Sequence, residues 1–226
     1  YRSDGWADQK KTKTGGRLMN KESPGYILFF ITAVSLFFGL IISVVNYATV
    51  DILKKNEAMH KNRVIAQAFM LETEGTSPLS YEKAVTEKIE EHKVVLPAGE
   101  RIYYKNRDNG DIGIIFSGTG FWDRITGIIV LSRDLATVRN IQFLEQKETP
   151  GLGARIEEKG FTDSFKGITV KWGNVPEKRI IIGSGDNTAG NRVDAITGAT
   201  QTSVSLMNML NMELDSFRNV YQLGRE

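Results

Sequence analysis

The pattern of apolar and polar positions changes character twice along the chain. Tyr26–Ala48 (YILFFITAVSLFFGLIISVVNYA) is an unbroken uncharged run rich in Ile, Leu, Phe and Val. At about 1.5 Å per residue, a helix of that length crosses a hydrocarbon core of about 30 Å. Tyr26 and Tyr47 sit near its two ends, where amphipathic rings favour the headgroup zone, and Pro24-Gly25 stand where a helix begins. The apolar region of a signal peptide is shorter, roughly 7–15 residues, and ends in a small-residue cleavage site absent after this run. A buried core helix would need cover on every face, and an interfacial helix would carry a polar stripe. The run is predicted to be one transmembrane helix.

Past the run, apolar residues become sparser and periodic. Ile52, Leu53, Val64, Ile65, Ala68 and Phe69 fall at helical spacing within a charged stretch, so a helix is expected over Asp51–Phe69. Thr73–Pro78 is rich in turn residues, and Tyr81–His92 predicts a second helix with Glu90-Glu91 at its solvated end. Arg101–Tyr104 and Ile112–Phe116 then flank a segment whose Asn109-Gly110 is a hairpin signal. Ile125–Leu131 and Thr137–Leu144 predict a second strand pair around Ser132–Ala136, and Arg179–Ile182 is a short β-like run. Leu206, Leu210, Leu214 and Phe217 recur at helical spacing near the end. Locally paired strands with helices at both ends define an α+β class: an antiparallel twisted sheet with flanking helices, preceded by one transmembrane helix. The expected organisation is an N-terminal arm (1–25), a transmembrane helix (26–48), a helical connector (49–98) and a folded domain (99–226).

Composition narrows the chemistry. The 226 residues include no Cys, which removes disulfides, thiolate nucleophiles and thiolate-held clusters supplied by this chain. His60 and His92 are isolated, so no metal site and no catalytic residue is assigned. The basic excess lies ahead of the apolar run, in Arg2, Lys10, Lys11, Lys13, Arg17 and Lys21 against Asp4, Asp8 and Glu22. The remainder is close to neutral, and nucleic acid is not an expected partner. The same bias, by a narrow margin over Lys54, Lys55, Lys61 and Arg63, favours a cytoplasmic N-terminus.

Two glycine-containing segments invite a ligand reading. Gly183–Gly190 lacks both the Lys-Ser/Thr ending of a P-loop and the spacing of a dinucleotide fingerprint, and is read as a surface loop. Asp194-Ala-Ile-Thr-Gly-Ala-Thr200-Gln-Thr-Ser203 combines a carboxylate, hydroxyls and very small residues just before an amphipathic helix. Small side chains allow close backbone approach and helix N-termini attract phosphate, but a plain N-cap would use the same residues.

That segment resembles the flavinylation motif of the FMN-binding domain family, with Ala195 where Gly is common. Glu148-Thr149-Pro150-Gly151-Leu152-Gly153 is similar to a second motif of the family, and Gly118-Thr-Gly-Phe-Trp122 to a third. With Glu145-Gln146, the pattern is most similar to the C-subunit branch of the sodium-translocating NADH:quinone oxidoreductases. The related branch is the G subunit of Rnf ferredoxin:NAD complexes. The resemblance implies an FMN-binding domain over 99–226 and FMN held covalently through its phosphate on Thr200. A dedicated flavin transferase would attach it, with FAD as donor. Thr197, Gly198 and Ala199 would give access to the phosphate, and Asp194 would orient the loop. Thr202 and Ser203 would cap the following helix; Trp122 and Leu152 would sandwich the flavin ring; Glu148, Thr149 and Gly153 would lie at its edge. The implied function is an electron-relay subunit of a membrane redox-driven ion pump. Its partners would be the other membrane subunits and membrane lipid, with the flavin domain on the extracytoplasmic side of the inner (cytoplasmic) membrane. The G subunit of an Rnf-type ferredoxin:NAD complex, a non-redox membrane-anchored structural subunit and a stand-alone flavinylated reductase are the alternatives.

Overall fold

A computed structural model describes residues 23–96 and 99–223. The expected N-terminal arm therefore lies outside the described residues, apart from Ser23–Gly25. The chain divides into two compact units between Leu53 and Lys54. Helix α1 (Pro24–Ala68) runs through the division as one element. In the first unit its large apolar side chains, among them Leu28, Phe29, Leu36, Leu40 and Ile42, are exposed. It is the one helix among the described residues long and apolar enough to cross a membrane.

In the second unit the end of α1 behaves as a core helix. Val64, Ile65, Ala66 and Ala68 are buried, as their spacing predicts. The helix stops because Met70 adopts a left-handed φ of 52° and the Leu71 N–H returns to the Ala66 carbonyl at 2.9 Å. Buried Asn140 completes the end: its Nδ2 donates to the carbonyls of Gln67 (3.0 Å) and Ala68 (3.2 Å). Helix α2 (Pro78–Lys88) starts at Ser77, whose hydroxyl accepts from the Ser80 N–H at 3.2 Å.

The helix expected over Tyr81–His92 ends four residues early. Strand β1 (Ile89–Leu96) begins there and pairs along its length with β2 (Gly99–Asn106), from Ile89↔Asn106 to Leu96↔Gly99. Tertiary pairing overrides a weak helical pattern. The 49–98 connector is thus helical only as far as Lys88. Glu90 and Glu91 are strand residues facing Arg107 (3.3 Å) and Lys61 (3.6 Å), not a helix end.

Strands β3 (Ile112–Thr119), β4 (Arg124–Leu131) and β5 (Val138–Glu145) complete an antiparallel sheet ordered β1-β2-β3-β4-β5. The β2–β3 turn holds Asn109-Gly110 as expected, with Gly110 at φ +76°. One sheet face packs on the end of α1 through Ile128 and Val130; Ile125, Ile129 and Leu131 belong to the other core, with α4 (Thr200–Leu223). Burial on both faces explains why β4 reads as a nearly continuous apolar run. After β5 come short helix α3 (Lys159–Asp163), strand β6 (Ile181–Ile182) and strand β7 (Arg192–Val193), the last two paired in parallel. Leu206, Leu210, Leu214 and Phe217 fasten α4 to the sheet.

Candidate functional site

Three connections meet at one end of the sheet. The β3–β4 loop closes with the Gly120 N–H donating to the Asp123 carbonyl at 2.8 Å, which leaves Phe121 and Trp122 on its outside. The two rings meet edge to face at 5.1 Å between centroids. The segment leaving β5 turns at Thr149–Ala154, where the Thr149 carbonyl accepts from the N–H groups of Leu152 and Ala154, both at 3.1 Å. The third connection leads from β7 into α4 through Ile196–Ala199. Between them lies a cleft of about 530 Å³ lined by Phe121, Trp122, Glu148, Thr149, Leu152, Gly153 and the stretch from Gly198 to Thr202. That volume is within the roughly 300–1,000 Å³ of small-molecule pockets.

Exposure singles the cleft out. Trp122 is 67% exposed, Phe121 54% and Leu152 45%, three large apolar side chains on one cleft. Covering about 100 Å² of such surface gains about 2.5 kcal/mol. A flat aromatic ligand is suited to do so. Thr200, the first residue of α4, is exposed on the same cleft. The N–H groups of a helix's first turn lack intrahelical acceptors, so an anionic group is favoured beside it.

Glu148 ties the three connections together. It is 4% exposed, and its Oε1 accepts from the N–H groups of Phe121 (2.9 Å) and Trp122 (3.0 Å). Its Oε2 accepts from the Thr202 hydroxyl at 2.7 Å. The two glycines beside it leave room for this. A Cβ on Gly153 would lie 2.6 Å from Thr202 Oγ1 and 2.8 Å from Glu148 Oε2, and one on Gly120 would fall on Glu148 Oε1. Glu148 is thus turned inward, where the resemblance implied a contact at the flavin edge.

Thr202 and Ser203 also differ from the expected helix caps. Both lie inside the first turns of α4. The fully buried Ser203 hydroxyl accepts from the Ile196 N–H at 3.2 Å and donates to the Ala199 carbonyl at 3.0 Å, fastening the preceding loop to the helix. Thr202 donates its proton to Glu148. Gly198 has φ +80°, a conformation that favours glycine, and a Cβ there would lie 3.2 Å from the flexible end of Leu152 at Cδ2. Thr197 and Asp194 are exposed and lie outside the cleft lining.

Sequence reasoning missed Phe121 and Gln201 as lining residues. Each adjoins an assigned residue, but only the turn geometry shows that its side reaches the cleft. The rim is charged. Lys147 bridges Asp123 (3.5 Å) and Glu145 (3.1 Å), bracing the β3–β4 loop against the exit of β5. The Arg124 N–H, and then Lys147, hold the Asp123 carboxyl below its usual range.

Fold and cleft together give an α+β domain that presents a hydroxyl at a helix start beside an exposed aromatic surface. Residues 120–215 match the profile of the FMN-binding domain. The chain resembles the C subunit of the Na(+)-translocating NADH-quinone reductase. The Vibrio anguillarum protein of that name is 22% identical over 223 residues, covering 81% of this chain and 88% of the relative. That of Vibrio vulnificus (strain YJ016) is 27% identical over 163 residues, 70% of this chain and 60% of the relative's length. The crystal structure of the corresponding protein from Parabacteroides distasonis superposes with a TM-score of 0.63 at 26% identity, covering 72% of this chain and 92% of that one. These likenesses favour the quinone-reductase branch over the Rnf branch.

Proposed function

We propose that this chain is a membrane-anchored electron-relay subunit with FMN on Thr200, within a sodium-translocating NADH:quinone oxidoreductase. The observation that carries the reading is the meeting of an exposed Thr200 hydroxyl, a helix start and an exposed Phe121–Trp122–Leu152 surface on one cleft. These residues fit FMN: the aromatic pair and Leu152 suit a flat ring system, and the start of α4 suits a phosphate. When bound, FMN supplies the electron transfer that none of these side chains can perform. The protein's part is to place the ring and to keep water from one of its faces.

A threonine hydroxyl is a weak nucleophile, so attachment needs a partner enzyme. With FAD as donor, an Oγ–phosphorus bond forms at Thr200, the pyrophosphate bond to AMP breaks, AMP leaves and the hydroxyl proton is released. Other membrane subunits would deliver and accept the electrons, and membrane lipid would surround the first part of α1. The chain expressed with a flavin transferase should gain the mass of one FMN phosphoester and fluoresce as a band on a denaturing gel. A protein recovered without flavin under those conditions would remove the reading.

A further inference from the structure

We propose that Glu148 is a positioning residue: its buried carboxylate clamps the β3–β4 loop to the first turn of α4, so that Trp122 and Thr200 face one cleft in a fixed relation. The proposal rests on the flavin reading of that cleft and deepens it. The backbone N–H groups of Phe121 and Trp122 both donate to Glu148, while their rings are exposed and pack edge to face on each other. Thr200 is two residues from Thr202, whose hydroxyl bond to Glu148 joins segments 54 positions apart. No ion pair among the described residues involves Glu148, so its ordering depends on neutral donors, and hydrogen bonds to a charged acceptor are the stronger kind. The Glu148 N–H in turn donates to Gln146 Oε1 at 2.8 Å, fixing the segment from which the clamp projects. Gly120 and Gly153 leave the carboxylate its space.

The arrangement makes Trp122 sensitive to a change at Thr202. Thr202→Val keeps the shape but removes the proton donor, and leaves Glu148 Oε2 without a partner. Thr202→Ser keeps the donor. Glu148→Gln keeps an acceptor for the two loop N–H groups, whereas Glu148→Ala removes the clamp altogether.

The test uses the full-length chain in detergent with 5-fluorotryptophan incorporated, and the Trp122 fluorine resonance assigned by its loss in Trp122→Phe. In a Thr200→Ala background, which carries no covalent flavin, Thr202→Val and Glu148→Ala should shift or broaden that resonance, and Thr202→Ser should leave it in place. With Thr200 intact, the rate of flavin incorporation from FAD by a flavin transferase should fall about tenfold or more in Thr202→Val and return to within about twofold in Thr202→Ser. An unmoved Trp122 resonance in Thr202→Val, with normal folding by circular dichroism, overturns the clamp. So does a shifted resonance with an unchanged incorporation rate. If Glu148→Ala does not fold, Thr202→Val against Thr202→Ser still decides the question. The resonance is read without flavin, so a failure of the flavin assignment shows separately, as no incorporation into the unsubstituted chain.

Discussion

At the scale of single residues, Thr200 is the proposed point of attachment and Glu148 the proposed clamp. Thr200→Ala should abolish the covalent FMN increment in intact-mass analysis with circular dichroism unchanged, because an exposed hydroxyl contributes little to the core. Gly198→Ala should lower both flavin yield and thermal stability, since Ala at φ +80° is strained and its Cβ presses on Leu152. Thr200, Gly198, Ala199, Trp122, Leu152 and Gly153, which the family resemblance implied for one site, line one cleft. The roles of Glu148, Thr202 and Ser203 were not legible in the sequence. A carboxylate's direction is set by distant N–H and O–H donors, and neither spacing nor composition says which donor it will meet.

At the scale of elements, the sheet is the part that hydrophobic pattern predicts best. Two hairpins with turn residues between apolar runs leave few other pairings, and β2 to β5 lie where the alternation placed them. Strand β1 escaped because its charged first half copies a helix end, and only its pairing with β2 shows otherwise. The short parallel contact of β6 with β7 likewise depends on segments brought together from afar. The join between β5 and α1 is open to test. Asn140→Ala removes the donor to the last carbonyls of α1, a loss of about 1–3 kcal/mol for buried groups left unpaired. At roughly 2–4 °C per kcal/mol for a domain of this size, a lower melting temperature should be plain by calorimetry.

A second element contact should behave in the opposite sense. Glu213 of α4 takes two hydrogen bonds from Arg101 of β2, at 2.9 and 2.8 Å. Desolvation outweighs that attraction and raises the Glu213 carboxyl above its usual range. An acid with a raised folded-state pKa binds protons more readily when folded, so its ionisation opposes folding as pH rises through that value. Glu213→Gln should therefore match or exceed the parent's melting temperature at neutral pH, and the difference should close in acid. A marked loss of stability at neutral pH would show instead that the ion pair is a net support.

At the scale of the whole molecule, the second unit holds both buried cores and the cleft. Deleting residues 1–48 should thus leave a soluble chain that accepts flavin. Membrane turnover, matched for flavin content, should fall when the complex contains that chain, because a relay that merely diffuses is seldom within electron-transfer distance. Protease added to spheroplasts should cut the flavin domain and spare the arm; the reverse pattern would contradict an extracytoplasmic cleft. The cleft draws its walls from the β3–β4 loop, the exit of β5 and the start of α4, and α4 is the last of the three in chain order. A chain in which α4 has not docked has no such cleft to offer. Under the proposed attachment at Thr200, flavin transfer would act as an inspection of this docking, and chains without flavin would be enriched in those whose α4 has not packed on the sheet.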